Sequence, residues 1–130
     1  MQQKWTWTLL TGLSLLILTG CQDYNPKLNG KWQLMTVQTP SQTWVRDSIF
    51  YNFDNYTFEI QNLSRYNGGT MMGEFQQKGD SLLLQVVDKG YTPSRFYWYG
   101  LSKHFKIVSL SFSRMQLSEA DTLYNFRSYN

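Results

Sequence analysis

Two short runs of alternating hydrophobic and polar residues give the clearest structural signal in the chain. In residues 48–54 the odd positions are Ile, Tyr and Phe, with Phe50 as the one large apolar exception. In residues 56–62 Tyr, Phe and Ile alternate with Thr, Glu and Gln. The Asp54-Asn55 pair between the runs has the composition of a tight turn. Because period-two alternation is typical of strands with one buried face, the pattern predicts a β-hairpin over Ser48–Asn62.

Further strand candidates follow at the spacing of an all-β domain. They are Lys31–Gln38, Thr70–Gln77, Ser81–Asp88, Arg95–Leu101, Phe105–Leu110, Arg114–Ser118 and Leu123–Tyr129. Segments rich in Gly, Pro, Asn or Asp separate them, and Trp44 falls in one of these loops. No amphipathic helix is expected after Cys21.

The total of eight or nine strands with short turns favours an antiparallel up-and-down β-barrel, which removes the exposed strand edges. A two-layer β-sandwich is the alternative, and periodicity does not separate the two. If the barrel closes, the first strand, Lys31–Gln38, pairs with the last, Leu123–Tyr129. Each carries a single basic residue and no proline, so neither is otherwise protected as an edge.

Residues 1–20 have the anatomy of an export signal. Lys4 precedes an apolar core, Leu9–Leu18, which is too short to span a bilayer as a mature helix. The core leads into Leu18-Thr19-Gly20-Cys21, which fits the lipobox of bacterial lipoproteins. The pattern predicts cleavage before Cys21 and a lipid on its sulfur, although the leucine spacing also suits a buried first helix.

The domain organisation follows from this signal. We expect a signal peptide at residues 1–20, a lipidated N-terminus and tether at 21–29, and one β-barrel domain at 30–130. The sequence has a single cysteine, so an intramolecular disulfide is excluded, and lipidation would consume the thiol.

Composition narrows the classes of function. Aromatic residues make up 17% of the chain and charged residues only 16%, with a formal net charge of +3. Because the basic residues are scattered along the sequence, we expect no nucleic-acid partner.

The candidates for catalysis and metal binding are weak. His104 is the only histidine, which excludes a histidine-rich metal site. A triad of His104 with a serine and Asp88 or Asp121 needs only residue types that most proteins contain. Glu59 and Glu74 could in principle do acid–base work, but alternation places Glu59 opposite the apolar face of its strand. We therefore expect no catalytic residues, no metal, no cofactor and no enzyme activity.

The chain resembles the small lipocalin-like lipoproteins of Gram-negative bacteria. The resemblance lies in Leu28–Leu34, in the hairpin Phe53–Phe58, and in the closing segments Ile107–Leu110, Met115–Leu117 and Tyr124–Arg127. It implies an up-and-down barrel, an interior ligand cavity in some members, and no catalytic residues. It also implies that Trp32 packs across one end of the barrel, with Arg127 as a possible partner.

The aromatic run Phe96-Tyr97-Trp98-Tyr99 is the most unusual composition after Cys21. It suits either a platform for sugars or a hydrophobic pocket, and ordinary barrel core is the alternative. The expected ligand-binding residues are Trp32, Phe58, Tyr97, Trp98, Tyr99 and Tyr124.

We therefore expect a lipid-anchored, monomeric lipoprotein of the outer membrane that binds a small apolar or glycan ligand. The alternative is a structural or interaction lipoprotein that contacts another envelope protein or inhibits a foreign hydrolase. An aromatic-lined cavity of roughly 300 Å³ or more favours the first. A filled barrel with an exposed apolar patch favours the second.

Overall fold

Antiparallel β-strands form almost all of the described structure. The computed structural model describes residues 25–65, 68–87, 96–98 and 100–129. Within these residues, a 3₁₀ turn at Pro26–Leu28 precedes the strands. The strands are β1 (Gly30–Gln38), β2 (Thr43–Val45), β3 (Ile49–Asp54), β4 (Thr57–Asn62), β5 (Gly69–Lys78), β6 (Ser81–Val86), β7 (Ser102–Leu110), β8 (Arg114–Glu119) and β9 (Thr122–Ser128). No helix in this part of the chain is long and apolar enough to cross a membrane.

The sheet closes into a barrel of eight strands. Neighbouring strands follow the order β2-β1-β3-β4-β5-β6-β7-β8-β9, and β1 also pairs with β9. The β1–β9 register runs from Trp32 opposite Ser128 to Gln38 opposite Leu123, with an irregularity between Leu34 and Thr36. The short β2 pairs with β1 and lies outside the closed ring. The barrel and the pairing of its first and last strands are confirmed, and the β-sandwich alternative is wrong.

The predicted hairpin is confirmed with its turn one residue later than expected. Asp54 pairs with Thr57, so Asn55 and Tyr56 form the turn. Both have positive φ, 45° and 71°, as the turns that match strand twist require. The apolar exception, Phe50, points out of the barrel, where the Lys31 ammonium lies 5.0 Å from its ring centroid.

Inward-facing side chains fill the barrel in a single hydrophobic cluster. Aromatic rings meet edge to face, as between Phe53 and Phe75 at 5.2 Å and between Tyr51 and Phe126 at 4.9 Å. Gly73 belongs to this packing, because a Cβ there would lie 2.7 Å from the Phe58 ring and 2.0 Å from the carbonyl oxygen of Gln85. Any residue with a side chain at position 73 would clash with the Phe58 ring, so β5 requires glycine there.

Three features differ from the sequence-based expectations. Trp44 lies in β2, whereas a loop was expected. The prediction of a strand over Arg95–Leu101 is wrong for residues 96–98. These residues form a turn, in which Tyr97 has a φ of 62°. Strand propensity reflects packing on a pleated surface, and these aromatics pack on the barrel from a loop instead. Leu28, placed in the tether from sequence, is fully buried, so the folded unit begins before Gly30.

Candidate ligand site at the open end of the barrel

The two ends of the barrel are built differently. At one end, here called the closed end, lie the short turns after β3, β5 and β7 together with the Pro26–Leu28 turn. At the opposite, open end lie the connections after β4, β6 and β8. Trp32 seals the closed end, since its indole N–H donates to the carbonyl oxygen of Leu28 at 2.9 Å. A ligand site inside the barrel therefore has to lie toward the open end.

Phe96 and Trp98 fill the open end from the β6–β7 connection. Each side chain is only 3% exposed. The Trp98 indole lies 6.1 Å from the Phe58 ring, and its N–H donates to the Tyr51 hydroxyl at 3.3 Å. An aromatic side chain carried by a loop thus occupies the interior position that an apolar ligand would take.

Tyr51 places a neutral hydroxyl in the interior. Burial raises the pKa of its phenol far above the usual range, and the neighbouring Tyr124 and Glu119 raise it further, against the opposing effect of the Trp98 hydrogen bond. The phenol therefore keeps its proton at physiological pH. Its hydrogen bond from Trp98 is the one it makes with described residues. Among the described residues, nothing accepts a hydrogen bond from its own O–H.

Lys103 brings a positive charge into the same end. It alternates with Phe105 on the inner face of β7 and is 7% exposed. Its ammonium donates to Glu119 Oε1 at 2.8 Å and lies about 6 Å from the rings of Phe105 and Tyr124. Glu119 is the more exposed partner, with 37% of its side chain accessible. A buried charge is costly unless paired, so this ion pair is an unusual feature of an otherwise apolar interior.

The clefts formed by described residues lie on the outside of the barrel. One of about 470 Å³ runs along β3, β4 and β5, and another of about 470 Å³ borders the β3–β4 turn and β6. Glu119 borders a third outer cleft, of about 440 Å³, whereas the Tyr51 hydroxyl lies inside the barrel against Trp98, in the space that a ligand would enter.

The structure brings some of the predicted ligand-binding residues together. Phe58 and Trp98 are in contact, and Tyr124 lies in the same interior beside Phe105, 5.1 Å between ring centroids. Trp32 is at the closed end. Tyr97 faces outward and stacks on the Arg46 guanidinium at 4.1 Å.

Tyr99 lies outside the described residues. Arg127, suggested by resemblance as a partner of Trp32, is on the outer face, where its Nε donates to Gln33 Oε1 at 2.7 Å. Trp32 points inward, and Leu28 accepts its hydrogen bond instead.

Tyr51, Lys103 and Glu119 were not among the ligand-binding residues expected from the sequence. A signal was present for Lys103, because it falls in step with Phe105 and Ile107, the inward positions of that run. A lysine in phase with apolar positions is a candidate for a buried charge. Glu119 gave no such signal, since it stands at the end of a strand, where acidic residues commonly support turns.

The candidates for catalysis are placed on the outer surface. Ser81 Oγ lies 2.6 Å from His104 Nε2, an exposed contact on the outer face. Within the described residues, no carboxylate hydrogen-bonds the other ring nitrogen, and Asp88 lies outside them. Glu59 and Glu74 both face outward from neighbouring strands. No group of three or more potential metal-ligating side chains occurs among the described residues.

A closed antiparallel barrel with an aromatic interior, sealed at one end by a tryptophan, defines the lipocalin class of fold. The profile of the lipocalin-like domain family matches residues 16–129, and the chain belongs to this family. Domains of this fold typically bind ligands and are not enzymes.

The solved structures that are similar to the chain include two from Bacteroides species. One is a lipocalin-like protein from Bacteroides uniformis, with 29% identity and a TM-score of 0.71, covering 79% of this chain and 99% of its own. The other, from Bacteroides eggerthii, has 24% identity and a TM-score of 0.71, covering 78% and 99%. A search of curated proteins gives no match.

Proposed function

We propose that the protein is a lipid-anchored, non-catalytic binding protein that takes up a small ligand at the open end of its barrel. The observation that carries this proposal is the presence of polar groups toward the open end of an otherwise apolar interior: the Tyr51 hydroxyl beside Trp98, and the Lys103 ammonium paired with Glu119. An apolar core gains nothing from a donor hydroxyl and a buried ammonium group, whereas ligand pockets combine apolar walls with a few placed polar groups. Tyr51, Lys103 and Glu119 supply those groups.

The chemistry of these groups defines the class of ligand. Phe58, Phe105 and Tyr124 offer an apolar and aromatic wall for a hydrophobic body. The Tyr51 hydroxyl and the Lys103 ammonium are both donors, so they suit a hydrogen-bond acceptor at one end of the ligand. Binding requires the Trp98 indole to give up its interior place, and the bound ligand then takes over its contacts.

Removing the internal competitor should strengthen binding. We expect Trp98→Ala to bind an apolar fluorescent probe such as 1-anilinonaphthalene-8-sulfonate roughly tenfold or more tightly than the unchanged protein, because no binding energy is spent on displacing the indole. Fluorescence titration measures the affinity. The matched control is Tyr97→Ala, which removes an exposed neighbouring ring and should change it by less than about twofold.

A second change separates a real pocket from a loosened fold. Adding Lys103→Met to Trp98→Ala should weaken the anionic probe again, because the cation that faces it is lost. The open-end site would be wrong if Trp98→Ala and Trp98→Ala/Lys103→Met bound the probe equally and Tyr97→Ala also bound it as tightly as Trp98→Ala. Mass spectrometry of small molecules extracted from protein purified from its own membrane would identify a natural ligand.

The anchor is assigned to Cys21 because the lipobox ends there, and outer-membrane residence is part of the same proposal. Several acyl chains on one cysteine would make the attachment effectively permanent, since each buried CH₂ contributes about 0.8 kcal/mol. We expect Cys21→Ala to leave the protein unlipidated and absent from the detergent-extracted membrane fraction. An unmodified thiol in the native protein, found by mass spectrometry, would contradict the anchor.

The filled barrel interior and an exposed apolar strip on the outer face together support the second candidate, an interaction with another envelope protein. The cleft along β3, β4 and β5 includes the exposed Met72 and Val87. The two residues are neighbours, because the backbone N–H of Val87 donates to the carbonyl oxygen of Met72 at 3.2 Å. Glu59 and Glu74 border it. An apolar strip with an acidic border fits a protein partner, and crosslinking in intact cells from a probe at Met72 tests it.

A further inference from the structure

The fold gathers basic side chains that are scattered in the sequence onto the closed end of the barrel. Lys27 precedes β1, Lys31 lies near its start, Arg114 opens β8 and Arg127 is near the end of β9. Lys78, at the end of β5, adds a fifth. The described carboxylates toward this end lie on the β3–β6 side. Glu74 is in the cross-strand row of Asp54, Glu59 is in the row of Lys31, and Asp80 lies 4.0 Å from Lys106. The excess of positive charge is therefore on the side of the closed end formed by β8, β9 and the start of β1.

Three of these basic residues adjoin one another along β8, β9 and β1. Arg114 and Arg127 stand directly opposite each other on β8 and β9, and both are exposed. Lys31 adjoins them, because the backbone N–H of Tyr129 donates to the carbonyl oxygen of Lys31 at 2.9 Å. Like charges placed opposite each other across two strands are destabilising. Among the described residues no carboxylate forms an ion pair with either arginine, so the pair suits an anion from outside.

Phe112 projects from the same surface. It is 79% exposed, in the turn between β7 and β8, and the Lys27 ammonium lies 5.4 Å from its ring centroid. The turn itself is ordered, since Ser111 Oγ accepts from the backbone N–H of Arg114 at 3.1 Å and Ser111 N donates to the Arg114 carbonyl at 2.9 Å. Phe112 is thus a large apolar side chain that projects into solvent beside cations. This arrangement suits a binding surface in which charged groups cover an apolar layer.

The chain enters the barrel at this same end. The backbone N–H of Asn25 donates to Gln77 Oε1 at 2.9 Å, which fixes the entry point beside the β5–β6 turn. Cys21 precedes Asn25 by four residues, a stretch that covers at most about 14 Å when fully extended. A lipid on Cys21 would therefore hold the closed end next to the bilayer.

We propose that the closed end is a membrane-contact face, in which Lys27, Lys31, Arg114 and Arg127 meet anionic phospholipid headgroups and Phe112 enters the interface. This role assumes that the protein is anchored to the bilayer, and so it rests on the Cys21 anchor proposed above. Docking by this face directs the open end, with its ligand site, away from the membrane. The anchor alone would leave the domain free to tumble, whereas this face gives it an orientation.

The expected strength follows from the charges. A Lys or Arg side chain close to an anionic bilayer contributes about 1 kcal/mol, which is about a fivefold change in partitioning. Removing both arginines should therefore lower partitioning by roughly tenfold or more at low salt. The effect should fall steeply as the salt rises, because exposed charges are screened over about 10 Å at 0.1 M.

The test uses the mature chain from residue 21 with Cys21→Ser, which keeps every residue of the barrel and carries no lipid. Sedimentation with vesicles compares phosphatidylcholine alone with phosphatidylcholine containing about 30% phosphatidylglycerol, at about 50 mM salt. We expect binding to the anionic vesicles, loss of roughly tenfold or more in Arg114→Gln/Arg127→Gln, and a several-fold loss in Phe112→Ser. The control Arg46→Gln/Arg65→Gln removes the same charge from the open end and should bind within about twofold of the parent.

Three results would overturn the proposal. The first is no preference for anionic vesicles. The second is an equal loss in both double variants, which would mean that net charge alone drives binding. The third is equally strong, arginine-dependent binding to a soluble polyanion such as heparin with no effect of Phe112→Ser, which would identify a polyanion partner. Because the protein tested carries no lipid, its result does not depend on whether Cys21 is lipidated, and the mass of the native protein decides that question separately.

Discussion

Trp32→Ala is expected to lower the free energy of unfolding by about 3–5 kcal/mol, as for other large buried aromatic side chains. The indole is 2% exposed and seals the closed end of the barrel. Its N–H donates to the Leu28 carbonyl at 2.9 Å, so the substitution also leaves a buried acceptor without its donor. A domain of this size is stable by about 5–15 kcal/mol in total. Urea unfolding followed by circular dichroism measures the loss.

Two further variants show where this loss comes from. Trp32→Phe keeps most of the ring but not the hydrogen bond, so it should cost less than the alanine variant. Trp44→Ala removes a half-buried tryptophan from β2, outside the closed ring, and should cost about 1 kcal/mol or less. Equal losses at Trp32 and Trp44 would contradict the sealing role of Trp32.

Much of the fold could be predicted because period-two patterning records which side of a strand is buried. The hairpin around Asn55 is an example: every second side chain of β3 and β4 enters the core, so the pattern and the structure coincide. Closure could be inferred as well, since two unprotected strands at opposite ends of the domain satisfy each other by pairing. The turn was misplaced by one residue because Tyr56, unlike Asn or Gly, is rare at positive φ.

The candidate site was less predictable because its members depend on contacts between distant segments. Trp98 enters the barrel from a connection, and only the three-dimensional fold places it against Tyr51, 47 residues away. The aromatic run predicted a special role for Trp98, but also a strand that residues 96–98 do not form. The partnership of Lys103 with Glu119 is equally non-local, as is the approach of Lys27 to Phe112.

The seam between β1 and β9 is the longest-range contact in the barrel. It is built from backbone pairing along both strands and from side-chain bonds on the outer face. Asn125 Nδ2 donates to Thr36 Oγ1 at 3.0 Å, and Gln116 Nε2 donates to Asn125 Oδ1 at 2.8 Å. This network ties β1, β9 and β8 together, and on the inner side Phe126 packs against Tyr51. Closure therefore depends on β9 for both backbone and core contacts.

Deletion of Leu123–Asn130 is expected to prevent folding. It removes nearly all of β9, leaves β1 and β8 as unpaired edges, and takes the buried Phe126 from the core. The loss exceeds that of any single side chain, so it should exhaust a stability of about 5–15 kcal/mol. The control replaces Thr43–Val45 with Gly-Ser-Gly, which disrupts pairing of β2 with β1 but leaves the closed ring intact. Amide hydrogen exchange distinguishes the two, because the control should keep slow exchange in β3–β6 whereas the truncated chain should exchange fast throughout. A truncated chain with native protection in β3–β6 would show that the barrel does not need closure.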